Sequence, residues 1–238
     1  MIAESHLSKI NTYNVQIGGV DVKTRVVDDT KLVPAALAEL GVGGVGDGGA
    51  HPIVGVDVKV SSNLFGRGKR CDLLILCTRS NCLILRLDPM RFCLDSDSQT
   101  VTDFLSFKDV SFVCPNGFRK RTRGLPLFVY ANHTITTYGR FRKTTRNASF
   151  DCSEIGAVEV GYYAARALRN PKLLKCESFS KLGKEAGVDL TTGNSDNGKM
   201  VKRRPKWDAE VFSDEEVLSV MHDAAACYRI VHKLLQSP

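Results

Sequence analysis

Residues 72–87 read DLLILCTRSNCLILRL, two nearly unbroken apolar runs about a four-residue turn. Runs this short, separated by Thr78-Arg79-Ser80-Asn81, fit two antiparallel strands better than a helix. Strands apolar on both sides belong to a sheet covered on both faces. A third apolar run, IVGVDVKV from Ile53 to Val60, precedes them. Three consecutive strands with helices to either side therefore define the core, and the chain is expected to fold as α/β.

The run IVGVDVKV also carries two charges. Asp57 and Lys59 are two residues apart, so in a strand they point to the same face. A buried charge is costly unless it is paired or holds a metal. An acid and a base side by side suggest an internal ion pair. The other reading is that Lys59 lies at the strand's end and extends its amine to water.

Upstream, YNVQIGGVDVKTRVV alternates on both sides of Gly18-Gly19 and predicts a hairpin. PAALAEL predicts a short helix that starts at Pro34 and stops at Gly41. Gly41, Gly43 and Gly46 match G-x-G-x-x-G, but a helix precedes them and a strand follows. The dinucleotide fingerprint needs the reverse order, so GVGGVGDGGA reads as a linker. Residues 1–50 are thus expected to form a hairpin, a helix and a linker, and residues 51–238 the main domain.

SQTVTDFLS reads as a helix and Val110–Val113 as a strand. SEIGAVEVGYYAARAL reads as a helix capped by Ser153, and SFSKLGKEAG as a shorter one ending near Gly187. In the last helix Ser213 and Glu216 have capping-box spacing. Val217, Val220, Met221, Ala224, Cys227, Tyr228, Val231 and Leu235 make its buried stripe. Asp223 falls beside that stripe.

The formal net charge is +7. Between Asp109 and Asp151 there is no acidic residue, yet Arg119, Lys120, Arg121, Arg123, Arg140, Arg142, Lys143 and Arg146 lie there. A second basic cluster is KRRPK, Lys202 to Lys206. Such patches suit polyanions such as DNA or RNA, or in the second case a nuclear address. The eight cysteines form no C-x-x-C pair and several sit in apolar runs, so they read as reduced core residues rather than zinc ligands. The N-terminus is too polar for a signal peptide, and no apolar run has the ~20 residues needed to cross a bilayer. Nucleus or cytoplasm is the expected location.

IVGVDVKV, CDLLILCTRSNCLILRL, FLSFKDVSFV and WDAEVFSDEEVLSVMHDAAACYRIVHKLL, in this order, resemble the plant 3′–5′ exonucleases of the Werner syndrome type, close to ribonuclease D. The resemblance implies a ribonuclease H-like mixed sheet, three antiparallel strands plus parallel ones, flanked by helices and opened by the hairpin. It also implies removal of nucleotides from a 3′ end by two divalent cations on four carboxylates. Those carboxylates come from Asp-x-Glu on the first strand, an Asp after the fourth, and Tyr-x-x-x-Asp on the last helix.

Asp57 and Asp223 match two of these acids. Lys59 stands at the glutamate, Lys120 or its neighbour Arg119 at the third acid, and Ser219 at the tyrosine. In relatives that use histidine for the tyrosine, that residue falls at Leu218; His222 reads as structural. Two unit charges ~4 Å apart interact by about 4 kcal/mol at an effective dielectric near 20, and a divalent ion would feel roughly twice that. A lysine in the site therefore opposes the metal pair. The expectation is a nucleic-acid-binding protein on an exonuclease fold with no cofactor. Two alternatives stand beside it: a metal-dependent exonuclease using Asp57 and Asp223 with Mg or Mn, and a scaffold or decoy with a protein partner.

Overall fold

The computed structural model describes residues 11–42, 51–62, 69–87, 97–123, 126–129, 149–151, 155–192 and 212–236. Seven strands form one mixed sheet in the order β1-β2-β5-β4-β3-β6-β9. They are β1 (Thr12–Ile17), β2 (Val20–Val27), β3 (Ile53–Ser62), β4 (Lys69–Cys77), β5 (Asn81–Arg86), β6 (Ser111–Cys114) and β9 (Val158–Glu159). The three central strands, β3, β4 and β5, pair antiparallel, while β6 and β9 continue the sheet parallel to β3. The hairpin β1–β2 joins the other side, with β2 parallel to β5. A separate pair, β7 (Pro126–Val129) and β8 (Ser149–Asp151), is antiparallel. The helices are α1 (Val33–Glu39), α2 (Asp97–Leu105), α3 (Phe118–Thr122), α4 (Val160–Ala167), α5 (Phe179–Ala186) and α6 (Asp214–Gln236).

Alternation along the central strands divides the core. Val54, Val56 and Val58 of β3, with Leu74, Leu76, Leu83 and Leu85, pack on one face with α1 and α2. Leu73, Ile75, Cys77 and Ile84 face the opposite way and meet α6 through Val217, Val220, Met221 and Ala224. Because side chains alternate, Gly55, Asp57 and Lys59 lie on the α6 side. Gly55 lets the helix come close: a Cβ there would collide with the carbonyl oxygen of Ala224. That contact brings Asp223 over β3.

Helix α6 begins at its capping box. The backbone N–H of Ser213 donates to Glu216 at 2.9 Å, and the N–H of Glu216 donates to the Ser213 hydroxyl at 3.3 Å. Arg229 ties the helix to the hairpin turn by donating to the carbonyls of Ile17 and Gly18. The last turn buries Leu234, and Leu235 is 61% exposed, which corrects the stripe expected from sequence. At the turn of helical phase after Val231 either leucine satisfies the period, and packing on α4 and α5 selects the first.

Two other expectations change. The segment GAVEVGYY is not helical throughout: Val158–Glu159 is a strand on β6, and α4 starts only at Val160. Ser153 lies outside the described residues. Cys77 and Cys82 are not reduced; they stand opposite each other across the β4–β5 hairpin, Cα atoms 4.2 Å apart, and are joined as a disulfide. Cys114 and Cys227 are free and buried, as core thiols should be. The linker glycines Gly43 and Gly46 and the cluster Lys202–Lys206 also lie outside the described residues. No helix among the described residues is long and apolar enough to cross a membrane.

Among the described glycines, Gly55 is the one whose added Cβ would come closest to another atom, the Ala224 carbonyl oxygen. Gly55→Ala is expected to destabilise the protein by roughly 1–3 kcal/mol through overpacking, measured as a lower urea midpoint at unchanged slope.

Candidate active site and ion-pair cluster

Four elements converge where β3 passes under α6. β3 supplies Asp57 and Lys59, α6 supplies Asp223 and His222, α3 supplies Arg121, and α5 supplies Phe179. The register between β3 and β4 shifts at Lys59/Val60, an irregularity that sits at the site itself. Bulges of this kind re-aim side chains locally.

Lys59 is the centre. Its Nζ donates to Asp57 Oδ2 at 2.7 Å and to Asp223 Oδ2 at 3.1 Å. The lysine side chain is 14% exposed, Asp57 is fully buried, and Asp223 is 32% exposed. The ammonium thus joins a carboxylate on the sheet to one on the helix. Lys59 does not extend to solvent; its ammonium is held between the two carboxylates.

The second cation is Arg121. One guanidinium nitrogen lies 3.4 Å from Asp57 Oδ1, and the side chain is 50% exposed. Helix α3 explains this choice. Phe118 and Thr122, four residues apart, are both buried, and the Thr122 hydroxyl donates to the Phe118 carbonyl at 2.8 Å. This fixes the roll of the helix. Arg119 then points to the carbonyl of Ala157, donating at 3.2 Å, and Lys120 is exposed. The cation that reaches Asp57 is therefore Arg121, not Lys120 or Arg119.

His222 joins the cluster through Nδ1, 3.3 Å from Asp223 Oδ1, and its ring meets Phe179 edge-on with centroids 6.1 Å apart. Phe179 has no signature in the local sequence, because its partner His222 lies on a different helix. Ser219 sits one turn before Asp223 on α6 and is partly buried, as is Leu218. Of the basic residues, Arg119, Lys120, Arg121 and Arg123 are exposed on or beside α3. Arg140, Arg142, Lys143 and Arg146 lie outside the described residues.

The charges perturb one another. Burial pushes the Asp57 carboxyl up, and the nearby Asp223 adds to this against the pull of Lys59 and Arg121. Burial also opposes the charge on Lys59, but the two carboxylates outweigh it and hold its pKa above the usual lysine value. For Asp223 burial is outweighed too: the His222 hydrogen bond and then Lys59 bring it down to about 2. The two acids share one lysine, and full burial of Asp57 is what separates them. Burial, with Glu159 nearby, pushes the Cys114 thiol up to about 12, so it stays protonated and inert at neutral pH.

The residues present do not fit a pair of divalent cations. Two carboxylates face each other with an ammonium already between them and a guanidinium on the outer oxygen. Among the described residues no group of three or more His, Cys, Asp or Glu side chains could hold a metal ion. Asp57 and Asp223 carry −2, Lys59 and Arg121 carry +2, and the cluster is neutral as it stands.

The fold is similar to that of solved structures. The structure is similar to that of Trypanosoma brucei RNase D, with a TM-score of 0.56 at 14% identity, covering 90% of this chain and 64% of that one. It is also similar to Escherichia coli RNase D, an exoribonuclease involved in structured RNA processing, with a TM-score of 0.50 at 12% identity, covering 90% and 44%. A third similar structure is the EXO domain of Aedes aegypti Nibbler, with a TM-score of 0.49 at 11% identity. The chain spans less than two thirds of the length of either RNase D. No family model and no curated protein matches the sequence. At these identities the likeness is one of fold alone: the chain shares the mixed α/β fold of the RNase D structures.

The pKa of Asp223 gives a pH signature. A carboxylate held near 2 stabilises the fold fully above about pH 4, and this contribution is lost as pH falls toward 2. The stability difference between the wild type and Asp223→Asn, read from urea midpoints, is expected to shrink over that interval.

Proposed function

We propose that this protein binds nucleic acid on an exonuclease fold without hydrolysing it, in the manner of a degenerate member of the Werner-like and ribonuclease D group. The observation that carries this reading is the Lys59 ammonium, within hydrogen-bonding distance of both surviving acids. Lys59 and Arg121 neutralise what two metals would otherwise neutralise. Removing one partner of such a buried pair leaves an uncompensated charge, so metal entry would first have to displace the lysine.

The basic residues supply the affinity. Arg119, Lys120, Arg121 and Arg123 cluster in one short stretch beside the site. Phosphate contacts of this kind give binding that falls steeply with salt. The other proposed readings are an exonuclease that uses Asp57 and Asp223 with Mg or Mn, and a scaffold that holds a protein partner. Nothing observed in the site favours either, since each acid is already engaged with a cation. Residues 1–50 are proposed as a hairpin, a short helix and a Gly-rich linker, and residues 51–238 as the exonuclease-like domain.

The experiment is a 3′-labelled strand incubated with the protein in Mg, in Mn and in EDTA. Retention of the label in all three, with an EDTA-insensitive gel shift that weakens as salt rises, is the expected outcome. Shortening of the strand that needs Mn and disappears in Asp57→Ala would establish the enzyme instead.

A further inference from the structure

The two cations of the cluster are held differently, and this assigns them different work. Lys59 contacts both carboxylates and is nearly enclosed; Arg121 makes one contact, at 3.4 Å, and half of its side chain faces solvent. Arg121 approaches Oδ1 of Asp57, while Lys59 holds Oδ2 at 2.7 Å. If Arg121 leaves, Asp57 still has a partner. If Lys59 leaves, the link between Asp57 and Asp223 is gone.

We propose that Arg121 is the residue of this pocket that grips a backbone phosphate of the bound strand, and that Asp57 holds it in reserve by competing for it. This rests on the nucleic-acid-binding reading and adds to it which residue makes the contact at the pocket and what restrains it. A guanidinium presents five N–H donors in a planar fork, and a phosphate can accept two of them in parallel. Asp57 engages only one nitrogen of this guanidinium. A phosphate entering from solvent therefore offers a better match than the contact it replaces, and Lys59 keeps the buried acid neutralised meanwhile. Arg121 is the α3 cation placed for this. Arg119 is committed to the Ala157 carbonyl, and the buried Phe118 and Thr122 stop the helix from rolling to present another side chain to the pocket.

The competition yields an outcome that a merely structural Arg121 would not. Removing the negative charge of Asp57 frees the guanidinium, so Asp57→Asn is expected to bind tighter, not weaker. The test is fluorescence anisotropy of a labelled single-stranded oligonucleotide with the full chain in EDTA, over a KCl series. Arg121→Ala is expected to weaken binding about tenfold and to reduce the salt slope by roughly 0.7 for one lost phosphate contact on a single strand. Asp57→Asn is expected to tighten binding several-fold, and this gain is expected to vanish in Asp57→Asn/Arg121→Ala. Circular dichroism melts confirm that each variant is folded; should Asp57→Asn not fold, the salt slope of Arg121→Ala decides alone. Wild-type affinity and slope in Arg121→Ala would overturn the assignment while leaving nucleic-acid binding intact, as would an equal gain from Asp57→Asn in both backgrounds. A wild-type chain that binds no oligonucleotide overturns both.

Discussion

A single ammonium group organises the centre of this molecule. Lys59 lies between Asp57 on the sheet and Asp223 on α6, and among the described residues it alone touches both acids. Without a positive charge at that point, two carboxylates would face each other across a core interface, one of them fully buried. Like charges in such a setting drive one group to protonate or the helix to lift away. The contact of α6 with β3 at Gly55 and the cation at Lys59 are therefore two parts of one arrangement. The first brings helix and strand together, and the second makes their facing charges tolerable.

The same arrangement sets the charge balance of the cluster. In a metal-dependent site the cations come from solution, and the fold carries excess negative charge until they arrive. Here the positive charges are covalently attached, so neutrality is built in. Charge balance also depends on which residues can move. Lys59 is enclosed and doubly bonded, whereas Arg121 is half exposed and singly bonded. The cluster thus combines a fixed cation that serves stability with an adjustable one at the surface.

Much of this could be read in the chain, and the limits have physical causes. The alternation of IVGVDVKV placed Asp57 and Lys59 on one face, and the helical phase of α6 placed Asp223 beside the core. Both inferences use only local periodicity. The identity of the α3 cation was not legible, because it depends on the roll of a five-residue helix set by Phe118 and Thr122. The two-residue strand Val158–Glu159 is too short to show a period, and only its pairing with β6 defines it. The Cys77–Cys82 pairing required knowing that the two residues stand directly opposite in register. The irregularity at Lys59/Val60 has no signature in residue type, yet it lies where the lysine turns toward both acids.

The central claim is that Lys59 occupies the seat of a cation, and titration with manganese tests it most directly. Electron paramagnetic resonance reports free Mn(II) as the metal is added to the wild-type protein. The account predicts no uptake attributable to the cluster, with the same free-metal curve for wild type and for Asp223→Ala. Uptake of one or two ions by the wild type that is abolished in Asp223→Ala would contradict it.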